Sequence, residues 1–125
     1  GFSFELGDTV FIDAVGNCQN MYIQNAAGVI YANNTLNCSA TLDVLYCFFH
    51  SNGNTINVNK LDLGESSILG SRTFDAANSM INISGSGLAY ELTHSFNLSE
   101  DFTNTIFNFN YAGFSSVSAS VGGSI

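Results

Sequence analysis

The stretch Met80-Ile81-Asn82-Ile83-Ser84-Gly85-Ser86-Gly87-Leu88-Ala89-Tyr90-Glu91-Leu92-Thr93-His94 sets the reading of the whole chain. Two short apolar runs flank Gly85-Ser86-Gly87. In the second, Leu88, Tyr90 and Leu92 share one face and Glu91 and Thr93 take the other, the period-two alternation of a strand. So short a glycine-rich connection predicts a β-hairpin.

Outward from this stretch the same signals recur. Residues 21–24 and 29–32 read as a second hairpin, joined by Asn25-Ala26-Ala27-Gly28, with Gly28 supplying a positive φ. Residues 40–49 are apolar on both faces, as in a central strand covered on both sides. Further strands are predicted at 55–63, 71–76, 105–111 and 114–121, with a polar turn at 51–54. Only 66–70 or 98–104 has room for a helical turn. Short strands at spacings near ten residues, without an amphipathic helix, predict a single all-β domain. Its expected form is an immunoglobulin-like or pilin-like β-sandwich with an extended N-terminal strand. A β-solenoid ranks below it, because no fixed repeat is evident.

The composition bounds what such a domain does. The chain has 125 residues, enough for one core-forming domain. Lys60 and Arg72 are its only fixed cations against ten carboxylates, giving a net charge of −8. No basic patch can form to neutralise phosphates or anionic headgroups, which excludes nucleic acid and polybasic membrane binding. No apolar run approaches the roughly 20 residues that span a bilayer, and no leader pattern opens the chain. A start at Gly1 suits a processed mature protein. With charged residues at 10%, the polar surface must be mostly Asn, Ser, Thr and Gly, a secreted-type composition from which an extracellular or cell-surface location is expected.

Residues 1–14 form a separate unit in this reading, and 15–125 the body. Phe2, Phe4, Leu6, Val10 and Ile12 fall on one face of the arm, with Asp8 its single polar interruption. Two interpretations follow. The arm is either the first strand of its own domain, bent at Gly7, or a donor strand that completes the sheet of a neighbour. In the second case the contact is head-to-tail and gives a polymer.

The alternating arm Phe2-Ser3-Phe4-Glu5-Leu6, an all-β body of pilin size and a secreted-type composition together resemble the donor-strand-complemented pilus subunits, such as bacterial type 1 pilins and the archaeal thread filament. The resemblance is architectural. Its end, Gly122-Gly123-Ser124-Ile125, departs from the alternating C-terminal strand of type 1 pilins, and the wealth of Ser, Thr and Asn is closer to the archaeal filament. It implies a structural subunit of an extracellular filament, with copies of itself as partners and cell adhesion as a use. The alternatives are a monomeric surface module that binds carbohydrate or another partner, and a viral coat or spike domain.

Cys18, Cys38 and Cys47 allow three single pairings. The polar settings of Cys18 and Cys38 favour a disulfide between them, with Cys47 a buried thiol in an apolar strand. Asn33, Asn37, Asn82 and Asn97 each begin an Asn-x-Ser/Thr triplet, so N-linked glycans are expected partners on an exported, charge-poor surface.

Nothing points to an enzyme or a cofactor. His50 and His94 lie near no nucleophile motif, and the cysteines and histidines lack metal-ligand spacing. Glu100-Asp101 suits the cap of a helical turn better than an acid/base pair. Lys60, among Asn57, Asn59 and Asp62, is read as an exposed strand lysine in preference to half of a side-chain amide cross-link.

Overall fold

The computed structural model describes residues 9–13, 17–63, 72–85, 87–94, 98–110 and 115–121. They form eleven strands and, among the described residues, no helix. In chain order these are β1 (Thr9–Ile12), β2 (Asn17–Cys18), β3 (Met21–Ala32), β4 (Leu36–His50), β5 (Ile56–Leu63) and β6 (Arg72–Asp75). After them come β7 (Met80–Ile83), β8 (Gly87–His94), β9 (Leu98–Asp101), β10 (Ile106–Phe109) and β11 (Ser115–Val121). The all-β class is as the sequence predicts, and strands occur at β5, β6, β10 and β11 where alternation placed them.

The pairing differs from the expectation. Every ladder between described strands is parallel. An immunoglobulin-like sandwich is assembled from antiparallel neighbours, so the ladders correct that reading. β7 and β8 do not form a hairpin: β7 lies between β5 and β10, and β8 between β5 and β11. Residues 21–32 form one continuous strand, with Gly28 buried inside it instead of turning the chain. β9 occupies the place of the helical turn foreseen at 98–104, whereas 66–70 lies outside the described residues.

The registers define the architecture. Val10 pairs with Ile30, Ile30 with Phe49, Phe49 with Phe74 and Phe74 with Glu100. Each position therefore stacks on its counterpart one circuit later, as in a β-solenoid, and a parallel pair needs such a long return connection.

Side-chain parity explains why β4 looks apolar on both faces. Leu36, Cys38, Leu42 and Val44 are buried in its first part, Cys47 and Phe49 in its last. The inward set changes from even to odd numbers between Val44 and Cys47, because the strand turns a corner of the coil there. β5 does the same, from Ile56 and Val58 to Leu61 and Leu63, and the β4–β5 register shifts nearby, between Cys38 and Thr41.

The interior is a set of vertical columns. Leu36, Ile56 and Ile81 form one, and Met21, Leu42 and Leu61 another. Phe49 and Phe74 stack with centroids 5.1 Å apart, and Phe102 and Phe107 continue the aromatic run. Each fully buried large side chain contributes about 1.5–3 kcal/mol.

Candidate functional site

One corner of the coil repeats in chemical detail. Asn37, Asn57, Asn82 and Asn108 occupy successive rungs in direct register. The Nδ2 of Asn57 donates to Oδ1 of Asn37 at 2.8 Å, that of Asn82 to Asn57 at 2.7 Å, and that of Asn108 to Asn82 at 2.9 Å. The result is a ladder of half-buried carboxamides running along the solenoid, with Asn17 in register at its N-terminal end.

The turn leading into this corner carries a second asparagine column. Asn52, Asn78 and Asn104 have φ of 53°, 60° and 55°, the left-handed region that asparagine tolerates better than most residues. Each turn closes with a main-chain bond: Asn54 N–H to Ser51, Ser79 N–H to Ala76, and Thr105 N–H to Phe102. Asn52 donates to Asn33, Asn104 to Asn78, and Asn33 to Oδ1 of Asp13. Beneath the turns, the buried hydroxyls of Ser51 and Ser79 meet at 2.6 Å.

Beside the amide ladder the surface is concave. A groove of about 450 Å³ is lined by Asn17, Asn37, Ser39, Asn57, Asn82, Ser84 and Asn110, with Cys38 and Val58 also on its wall. Its lining residues include no ionisable carboxylate or ammonium. Past Ser84 the chain approaches the neighbouring coil closely: Gly85 N–H donates to the Asn59 carbonyl at 2.8 Å, and a Cβ on Gly85 would overlap that same carbonyl. Gly85 is thus required by backbone proximity and not by a hairpin turn.

Cys18 and Cys38 are brought together. They pair in register between β2 and β4, and their thiol sulfurs stand 3.1 Å apart. Burial, reinforced by the Cys18 sulfur, pushes the Cys38 thiol far above its ordinary pKa, so it stays protonated at neutral pH. Cys47 is a fully buried thiol elsewhere in the core.

Phe2, Phe4 and Leu6 lie outside the described residues. Val10 and Ile12 are half-buried in the chain's own first coil, paired with Ile30 and Ala32.

Of the sequon asparagines, Asn33 is exposed at a turn, Asn37 and Asn82 are rungs of the amide ladder, and Asn97 lies outside the described residues. A glycan on Asn82 would be attached to the very nitrogen that donates to Asn57.

On another face, Phe11, Tyr31 and His50 stack at 5.4 and 5.0 Å, and His50 Nδ1 meets Asp75 Oδ2 at 3.0 Å. The ring faces are turned to one another, which makes this column a stacking device between coils. Lys60 pairs with Asp62 at 3.1 Å. Asp101 accepts from the Thr103 N–H, and hydrogen bonds from Thr103 hold its carboxyl below the usual aspartate range. Among the described residues, no group of three or more His, Cys, Asp or Glu side chains is placed to hold a metal ion, and no helix is long and apolar enough to cross a membrane.

Asn17, Asn57, Asn108, Asn110, Ser39 and Ser84 are the site residues that sequence reasoning missed. Their signal is the pairing of a turn asparagine with a strand asparagine: Asn33 with Asn37, Asn52 with Asn57, Asn78 with Asn82, Asn104 with Asn108. No protein-family model, curated protein or solved structure matches this chain.

Proposed function

We propose that this chain is a structural module of an extracellular or cell-surface filament, and that its copies join end to end by continuing the parallel ladder from one solenoid to the next. The observation that carries this reading is the set of open strand edges at the two ends of the coil. Among the described residues β1 pairs with β3 alone and β10 with β7 alone, and both edges present large apolar side chains. Phe11 is 58% exposed at one end, and Ile106 is 53% exposed at the other.

An unpaired parallel edge offers a row of main-chain donors and acceptors to another strand. All coils run in the same sense, so the N-terminal edge of one copy meets the C-terminal edge of the next in a heterologous contact that does not close on itself. Such a contact would set Asn17 of one copy over Asn108 of another and prolong the amide ladder. This differs from the donor-strand form of the idea, in which Val10 and Ile12 would leave their own domain. The charge-poor surface supports a place outside the cell, and Asn33, exposed at its turn, is the best-placed glycan acceptor among the described sequons.

Both ends carry carboxylates, Asp13 at one and Glu100 and Asp101 at the other, so added salt should promote association by screening them. Electron microscopy of the purified chain at rising ionic strength tests the proposal. Fibres one solenoid wide are expected, and Phe11→Asp or Ile106→Asp should abolish them without unfolding the monomer. A full chain that stays monomeric at high concentration and high salt overturns it.

A further inference from the structure

We infer that the groove beside the amide ladder binds a single strand of neutral, extended polysaccharide lying along the solenoid axis. The inference goes beyond the assembly reading and does not depend on it.

The walls select against charge. In a chain of net charge −8, the polar groups lining this groove are carboxamides and hydroxyls. An anionic ligand finds no ammonium or guanidinium there, and a cation finds no carboxylate.

The hydrogen-bonding capacity left over is of two kinds. A carboxamide has two N–H donors and an oxygen with two lone pairs. In Asn57 and Asn82 the ladder uses one donor and one acceptor site of each, which leaves one of each per rung. Sugar hydroxyls both donate and accept, so a run of alternating spare donors and acceptors suits them. Ser39 and Ser84, exposed on the wall, donate to the Cys18 and Val58 carbonyls and keep hydroxyl lone pairs free to accept from a sugar.

The spacing is also suitable. Rungs repeat at about 4.8 Å, the separation of neighbouring strands, and an extended β-1,4-linked pyranose chain advances by a closely similar distance per residue. Each sugar therefore spans about one rung, and because neighbouring sugars in such a chain are turned by half a rotation, every second sugar meets every second rung in an equivalent position. The volume of about 450 Å³ falls within the range of small-molecule sites and accepts a short oligosaccharide segment.

The test is an NMR titration of the full chain with cellohexaose, with a trigalacturonate as the charged comparison. Cellohexaose should shift the side-chain amide resonances of Asn57 and Asn82. Ser84→Arg, which fills the groove from its exposed wall and leaves the ladder intact, should weaken binding by about tenfold or more. Thr103→Arg, on the turn side, should leave affinity and fold unchanged. The assembly-blocking variant Phe11→Asp should bind as the parent does, which separates this site from the filament contact. Absence of shifts at the ladder amides, affinity indifferent to Ser84→Arg, or equal affinity for trigalacturonate would each overturn the proposal.

Discussion

The asparagine corner and the remainder of each coil solve the stacking problem in different ways. At the corner, like residues stack on like, and the fit is directional: a carboxamide one register out of place loses both its donor and its acceptor. Around the rest of the coil the contacts are apolar and tolerant, with Ile30 under Phe49, Leu61 beside Leu42, and Cys38 over Val58. The first region fixes register and the second supplies most of the burial energy. Because only the corner demands a fixed position, the chain between one corner and the next is free to vary in length. Consecutive ladder rungs are separated by 20, then 25, then 26 residues.

That division gives the largest expected effect. Phe49→Ala, in the stacked aromatic column, should cost about 3–5 kcal/mol through lost burial and a residual cavity. Asn57→Ala removes only one half-buried side chain but strands the acceptor of Asn37 and the donor of Asn82, and should cost about 1–3 kcal/mol. Denaturant titration separates the two effects. If Asn59→Ala, exposed on the same strand and outside the ladder, costs as much as Asn57→Ala, the corner has no special role in register.

The thiols report on the same stacking at a neighbouring position. Cys18 and Cys38 occupy equivalent positions in consecutive coils and meet at 3.1 Å. Under oxidising conditions, peptide mapping without reduction should find them joined and Cys47 alkylated only after unfolding. Closing a loop of about 20 residues should add about 3 kcal/mol. A Cys38–Cys47 linkage would contradict the stacking described for this corner.

Much of this was legible in the sequence, and what was hidden has a physical cause. Alternation at 56–58, 61–63 and 115–121 marks strands because an extended chain with one face covered must alternate. It says nothing about which strand lies alongside, or in which direction. Gly85 fits a tight turn and a close backbone approach equally well in sequence, and only the position of the Asn59 carbonyl decides between them. The two-faced apolar run at 40–49 recorded a corner, visible only once inward parity is known to change within one strand. The repeat itself was present in the asparagine pairs, but spacings of 19 and 26 residues between equivalent turn positions conceal it from a search at fixed period. The proximity of Cys18 and Cys38 was foreseen from their settings on either side of a supposed hairpin. The structure brings them together for another reason, since they are successive rungs of one column.

Smaller effects probe the turns. Asn104 sits at φ 55°, so Asn104→Ala should cost about 1–2 kcal/mol of left-handed strain, whereas Asn104→Gly should be close to neutral. Equal costs would show that the side-chain bond to Asn78, and not the backbone, sets the preference. At Asp101 the folded-state pKa is depressed by Thr103. Its contribution to stability is therefore present above the ordinary aspartate pKa and is lost as pH falls through the depressed value. Thr103→Val should move the NMR titration midpoint of Asp101 upward, because it removes the side-chain donor.

In the solenoid every rung lies parallel on the one before it. Nuclear Overhauser contacts measured on the isotopically labelled chain test it most directly. Cross-strand contacts linking Asn57 with Asn82 and Asn82 with Asn108 in parallel register are expected. Close antiparallel Hα–Hα contacts between residues 80–84 and 88–94, the pattern of a hairpin closed at Gly85, would contradict it.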